Sequence, residues 1–253
     1  MTHVAIDRYS ELRVGAVLKR VWTIFSSSFF QFFIVTLVGE LPQLLLRKSF
    51  GSSASAIALR TVLDVVVGTF LGTLVLAVIV CGALQTMRGR SFNVREALGR
   101  GIARLWPILG LGSLLALGLT LGLLFLIVPS FVLGVRWAVA APVCVVEGYD
   151  AITSLRRSAE LTNGFRWKIF GIGMLVLVSG LAAVGAISFF NDVLIGQLFG
   201  SKGLTGDIAV AVSSLVLAST FLGFYNSVVV VIYHDLRVIK EGVVIDQIAA
   251  VFD

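Results

Sequence analysis

Apolar residues run along this chain in long unbroken blocks, and polar residues gather between the blocks rather than alternating with them. Six blocks stand out, at 21–46, 62–87, 106–128, 130–146, 167–190 and 208–233. A helix crosses the hydrocarbon core of a bilayer in about 20 residues, so each block predicts a transmembrane helix. The fourth is the shortest and carries Arg136. Only Pro129 divides it from the third, which predicts a tight hairpin, or alternatively one re-entrant or strongly kinked element. A barrel strand would alternate over about ten residues, so helices are predicted instead. The predicted fold is an all-α polytopic membrane bundle forming one domain over 1–253.

The polar segments have a pattern of their own. Residues 8–20 (RYSELRVGAVLKR), 93–105 (NVREALGRGIARL) and 150–166 (DAITSLRRSAELTNGFR) each begin as a short amphipathic helix and open an odd-numbered span. In each, a basic residue lies within two positions of a tryptophan: Trp22, Trp106 and Trp167. In the middle copy Val94, Ala97, Leu98, Ile102 and Leu105 recur at helical spacing, with Arg95, Glu96, Arg100 and Arg104 on the other side. Asn93 and Glu96 have the spacing of a capping box. Such helices are expected to lie in the interface, apolar face down, with tryptophans at the water boundary. The pattern predicts three parallel repeats, 8–87, 93–146 and 150–233, unlike the inverted repeats of many secondary transporters.

Composition removes the soluble alternatives. Hydrophobic residues are 58% of the 253 and charged residues 13%, too few charges to cover a soluble globule. The first 20 residues lack a short apolar core followed by a small-residue cleavage site, so no removable signal peptide is expected. Fifteen of the 20 Lys and Arg residues fall in the N-terminus, 88–105, 147–168 and the C-terminus, and four in the opposite loops. Basic residues mark cytoplasmic loops, so both termini are expected inside, in a bacterial inner membrane. The net charge of +6 then calls for anionic headgroups and no nucleic acid. Cys81 and Cys144 fall within spans and are expected to be buried free thiols.

Ionisable groups inside a membrane are costly and draw attention. Arg136, six residues into the fourth span, is expected about 9 Å deep. Glu40 and Asp64 lie towards the same predicted leaflet and are candidates to neutralise it, as a salt bridge or as a pocket for an anionic headgroup or small anion. Asn226 in the last span is a further candidate ligand or helix-packing group. Gly68/Gly72 and Gly118/Gly122 form GxxxG pairs that suggest close packing. The two histidines, His3 and His234, cannot build a His-rich metal site, and adjacent residues such as His234 and Asp235 are not expected to share a helix face. There is no GxSxG, Walker or GxGxxG motif, so no catalytic residue, cofactor or metal is assigned.

Two passages carry a resemblance. Residues 136–168 (RWAVAAPVCVVEGYDAITSLRRSAELTNGFRWK) and 233–242 (YHDLRVIKEG) resemble the bacterial membrane domain found fused to glycerophosphodiester phosphodiesterases and the related YciC-like membrane proteins. The likeness covers nearly the whole chain in architecture and these two stretches in motif. It implies a six-span membrane module without enzyme activity, the phosphodiesterase chemistry belonging to a separate domain. By match to the motif, Arg136, Pro142, Glu147, Arg156, Arg157, Ser158, Gly164, Trp167, Asp235, Arg237 and Gly242 are the positions it marks. Glu147 and Asp235, level with Arg156, Arg157 and Arg237, are expected to form an ion-pair lock.

The expected function is that of a non-enzymatic inner-membrane protein that binds or organises lipids, or accompanies a membrane complex as partner or homo-oligomer. Arg95, Arg100, Arg104, Arg156 and Arg157 are the expected headgroup contacts. The alternative is a small-molecule transporter or lipid scramblase with a polar path near Glu40, Asp64, Arg136 and Asn226. An intramembrane enzyme is the third reading.

Overall fold

The computed structural model describes residues 14–49, 53–87, 89–125, 127–190, 193 and 204–242. Among these the chain is almost wholly helical, without a strand. The predicted amphipathic segment before residue 14, and the loop at 191–207 apart from residues 193 and 204–207, lie outside the described residues. In chain order the helices are α1 (Val14–Ser27), α2 (Phe29–Ser49), α3 (Ala54–Met87), α4 (Val94–Ala103), α5 (Leu105–Phe125), α6 (Ile127–Arg136), α7 (Ala140–Val146), α8 (Ala151–Thr162), α9 (Arg166–Phe190) and α10 (Leu204–Glu241). Five stretches are long and apolar enough to cross a membrane: α3, α5, α6 with α7, α9 and α10. The α1–α2 pair makes a sixth if its two bent halves count as one span. This is the build of a multi-pass membrane protein.

Three boundaries differ from expectation. The predicted first span from residue 21 is broken at Ser28, where α1 and α2 meet at 78°. Val17, Val21, Ile24 and Phe25 bury one stripe of α1, while Trp22 is exposed. Ser28 is itself buried and its hydroxyl lies 2.8 Å from that of Thr86, which holds the bend against the end of α3. α6 already begins at Ile127, and Pro129 sits in its first turn, where a missing N–H costs nothing. The predicted fourth span is two helices, interrupted at Trp137–Val139. Its α5 neighbour accommodates it closely: Gly118 faces the Trp137 ring and Gly122 the Ser130 backbone, and Ser130 Oγ donates to Leu119 O at 3.0 Å.

α3 and α10 are the central pair. Each touches α1, α2 and α7, and they touch each other. At 34 and 38 residues they measure about 51 and 57 Å, well beyond the roughly 30 Å of a hydrocarbon core. The buried side chains crowd one end of them, Val75–Leu84 on α3 and Val228–Leu236 on α10, joined by α7 and the buried faces of α1 and α8. Towards the other end burial runs out: Ile57, Leu59, Val62 and Val66 on α3, and Ile208, Val210 and Val212 on α10, are all exposed. The core is off-centre, and the three short amphipathic helices α1, α4 and α8 all sit at the packed, polar end.

Candidate functional site

The chemistry concentrates at that polar end. α10 continues past residue 233, where the apolar block ends, to Glu241, and carries Tyr233, Asp235, Arg237 and Glu241 alongside α7 and α8. Glu147 caps α7 with its side chain only 9% exposed. It accepts a hydrogen bond from Tyr233 Oη at 2.9 Å and one from Arg157 Nε at 3.1 Å. Arg237 Nε stands 3.9 Å from Glu147 and 2.9 Å from Glu241, and its Nη1 donates to Tyr233 Oη at 3.1 Å. Arg157 closes the ring by pairing with Glu241. Two guanidiniums and two carboxylates thus alternate around one phenol, so each buried charge has partners of opposite sign. Lys240 adds a bond to the Glu160 carbonyl.

Asp235 is not in this ring. It pairs with Arg20 of α1, 215 residues away in sequence, and its Oδ1 lies 3.2 Å from His234 Nδ1. Adjacent side chains do meet here, contrary to expectation, because the short carboxylate can fold back along the helix to its neighbour's ring. Arg156 is exposed and has no ion pair among the described residues. The predicted lock therefore joins α7, α8 and α10 through Glu147, Arg157 and Arg237, with Asp235 fastening α1 separately.

The predicted intramembrane cluster does not assemble. Arg136 ends α6 exposed at the level of α8, where its carbonyl accepts from Ser158 Oγ at 2.9 Å and Thr162 Oγ1 at 3.3 Å. Asp64 pairs instead with Arg60 one turn earlier, at 3.6 Å. Glu40 lines an apolar groove of about 500 Å³ between α2, α9 and α10, with Ser188 and Ser214. Asn226 is buried on α10. One straight fourth helix would put Arg136 near the far leaflet; the break at 137–139 and the α8 contact put it in the packed half.

α4 divides its apolar residues between two surroundings. Ala97 and Gly101 are buried, Gly101 facing Ala77 and Val78 of α3, while Val94, Leu98 and Ile102 are exposed in a row that leads to Trp106. Arg100 pairs with Glu96 at 2.6 Å, Arg104 Nη1 donates to Gly148 O at 2.6 Å, and Arg95 is exposed. Trp22, Trp106 and Trp167 are exposed at 64, 83 and 85%. Ion pairing and backbone contacts thus already engage Arg100, Arg104 and Arg157, leaving Arg95 and Arg156 the freer cations of the predicted headgroup set. Cys81 and Cys144 are buried and form no disulfide. Among the described residues no group of three or more His, Cys, Asp or Glu is placed to hold a metal.

A second apolar groove, of about 460 Å³, runs between α6, α9 and α10. α9 thus has a groove on either side, and most of its surface is uncovered by protein. Sequence reasoning missed Tyr233 as a partner of Glu147 and Glu241 as the second carboxylate for Arg157 and Arg237, though YHDLRVIKEG, read as a continued helix, puts 233, 237 and 241 on one stripe. Comparison with family models, with curated proteins and with solved structures gives no match for this chain.

Proposed function

We propose that the chain is a non-enzymatic protein of the bacterial inner membrane, both termini cytoplasmic, that binds or organises lipids or accompanies a membrane complex. The carrying observation is the set of three amphipathic helices at one end. Their exposed tryptophans and the Val94, Leu98, Ile102 row suit the acyl boundary, and Arg95 and Arg156 suit the headgroups above it. The bias of basic residues supports the orientation, and the motif likeness to YciC-like proteins supports the family reading. Three amphipathic helices, each leading into an apolar helix, support the reading of three parallel repeats. The grooves beside α9 offer room for acyl chains. The test is the lipid content of protein extracted with its surrounding bilayer in polymer discs. Enrichment of anionic lipid over the parent membrane is expected; a content equal to the bulk would count against the proposal.

One observation favours a second reading, a lipid scramblase or small-molecule transporter. Glu40, Ser188 and Ser214 place polar groups in an otherwise apolar groove, the makings of a path for a headgroup. Reconstitution with fluorescent lipid and an external quencher separates the two. Loss of the protected inner-leaflet signal, abolished by Glu40→Leu, would replace the first reading with this one.

A further inference from the structure

At the polar end a cavity of about 690 Å³ opens between α1, the last turn of α3 and α10. Lys19, Arg20, Thr23 and Ser27 line it from α1, Thr86 from α3 and His234 from α10. The ring around Glu147 does not reach it. Lys19 is exposed and forms no ion pair among the described residues. The Arg20 guanidinium and the His234 ring share the one carboxylate of Asp235. His234 is 4% exposed, and its Nε2 is buried with no hydrogen-bond partner among the described residues. Buried polar atoms are nearly always satisfied, so an orphan in a side chain that lines a cavity points to something absent from the chain itself. In the tautomer that directs Nδ1–H to Asp235, 3.2 Å away, Nε2 is an acceptor. The wall therefore offers cationic donors, three hydroxyls and, in that tautomer, an imidazole acceptor. Exposed Trp22, two residues beyond Arg20, sets the cavity at headgroup level.

We propose that this cavity binds a phosphate group that carries or adjoins its own hydrogen-bond donor, as a phospholipid headgroup with a hydroxyl or ammonium group, or as free hydrogen phosphate. Lys19 and Arg20 donate to the phosphate oxygens, and the ligand's own O–H or N–H donates to His234 Nε2. In its headgroup form the inference rests on the lipid-binding reading above; in its free-anion form it does not.

The test uses the full-length protein in detergent, with native mass spectrometry against added phosphatidylglycerol, phosphatidylethanolamine and phosphatidylcholine. Phosphatidylethanolamine and phosphatidylcholine carry the same net charge, but only the first has a headgroup donor. Retention of phosphatidylglycerol and phosphatidylethanolamine over phosphatidylcholine is expected. Lys19→Ala is expected to weaken it about tenfold, the scale of one charge-assisted hydrogen bond, and Lys168→Ala to leave it unchanged. His234→Phe should erase the preference for phosphatidylethanolamine; should that variant not fold, Lys19→Ala decides alone. Equal retention of phosphatidylethanolamine and phosphatidylcholine, or equal effects of Lys19→Ala and Lys168→Ala, would overturn the proposal while leaving general lipid binding standing. If no lipid is retained but millimolar inorganic phosphate raises the melting temperature of the wild type and not of Lys19→Ala, the free anion is the ligand and the lipid reading fails.

Discussion

Two adjacent arginines show how much a residue's value depends on the stripe it occupies. Arg157 meets Glu147 and Glu241, whereas Arg156 faces outward. Arg157→Ala leaves a carboxylate that is 9% exposed with only Tyr233 and the more distant Arg237, and Arg157 itself keeps about a quarter of its surface in water. A fully buried pair broken on one side costs about 3–5 kcal/mol, so a loss of about 2 kcal/mol is expected here after screening. Arg156→Ala should stay within about 0.5 kcal/mol. Thermal unfolding of the two variants in one detergent makes the comparison. Asp150 supplies a second residue-scale prediction. As the N-cap of α8 it accepts from Thr153 N–H, and the Thr153 hydroxyl first, with that N–H in a lesser part, holds its carboxyl below the ordinary aspartate range. A depressed folded-state pKa gives stability that is present above the ordinary aspartate range and lost as pH falls through the folded value. The melting temperature of Asp150→Ala should therefore fall below wild type at neutral pH and converge on it in acid. A gap that persists unchanged into acid would show that the charge of Asp150 contributes nothing.

Among the elements, α8 explains a feature that its own sequence conceals. Its buried face is Ser154, Ser158, Leu161 and Thr162, an unusual choice for packing against apolar helices. The reason lies in the neighbouring break. Ser158 Oγ donates to Arg136 O and accepts from Val139 N at 3.3 Å, so one hydroxyl serves both backbone groups left open between α6 and α7. Ser158→Ala should cost about 2 kcal/mol, the usual penalty for orphaned buried groups, and Ser158→Thr much less if the hydroxyl keeps its place. Unfolding midpoints measure both. α4 gives a related lesson about legibility. Asn93 does cap it, accepting from Glu96 N–H at 3.3 Å, but the reciprocal half of the box is taken by Gln85 of α3. Gln85 Oε1 receives the Asn93 N–H at 3.0 Å, and its Nε2 donates to Glu96. Local periodicity and capping chemistry were readable because they depend on neighbours a few positions away. The bend at Ser28, the break at 137–139 and the Arg20–Asp235 pair were not, because each is decided by a residue 19 to 215 positions distant. The exposed tryptophans test where these elements lie. In single-tryptophan variants, Trp22, Trp106 and Trp167 should be quenched most by lipids brominated near the glycerol. Trp137, half-buried against Gly118, should respond least.

Over the whole molecule, the off-centre core predicts uneven stability. Residues 75–84 of α3 and 228–236 of α10 carry most of the close packing, while 181–189 of α9 and 208–218 of α10 expose much of their surface. Hydrogen exchange in detergent should be slowest in the first two stretches and measurably faster in the last two; uniform protection would contradict this. The general class of fold followed from composition and from block length, since both report on the solvent that surrounds the chain. The position of the core did not, since every block is apolar along its full length and only contact decides which half is covered by protein. That uneven coverage also has a mechanical meaning. Helices packed closely at one end and thinly covered at the other are expected to present unequal girths to the two leaflets, as a wedge does. Lipids filling the thinly covered half would have to match such a taper, so the molecule's free energy would depend on how tightly the bilayer is curved. In vesicles sorted by diameter, the protein should then partition unequally between strongly and weakly curved membranes.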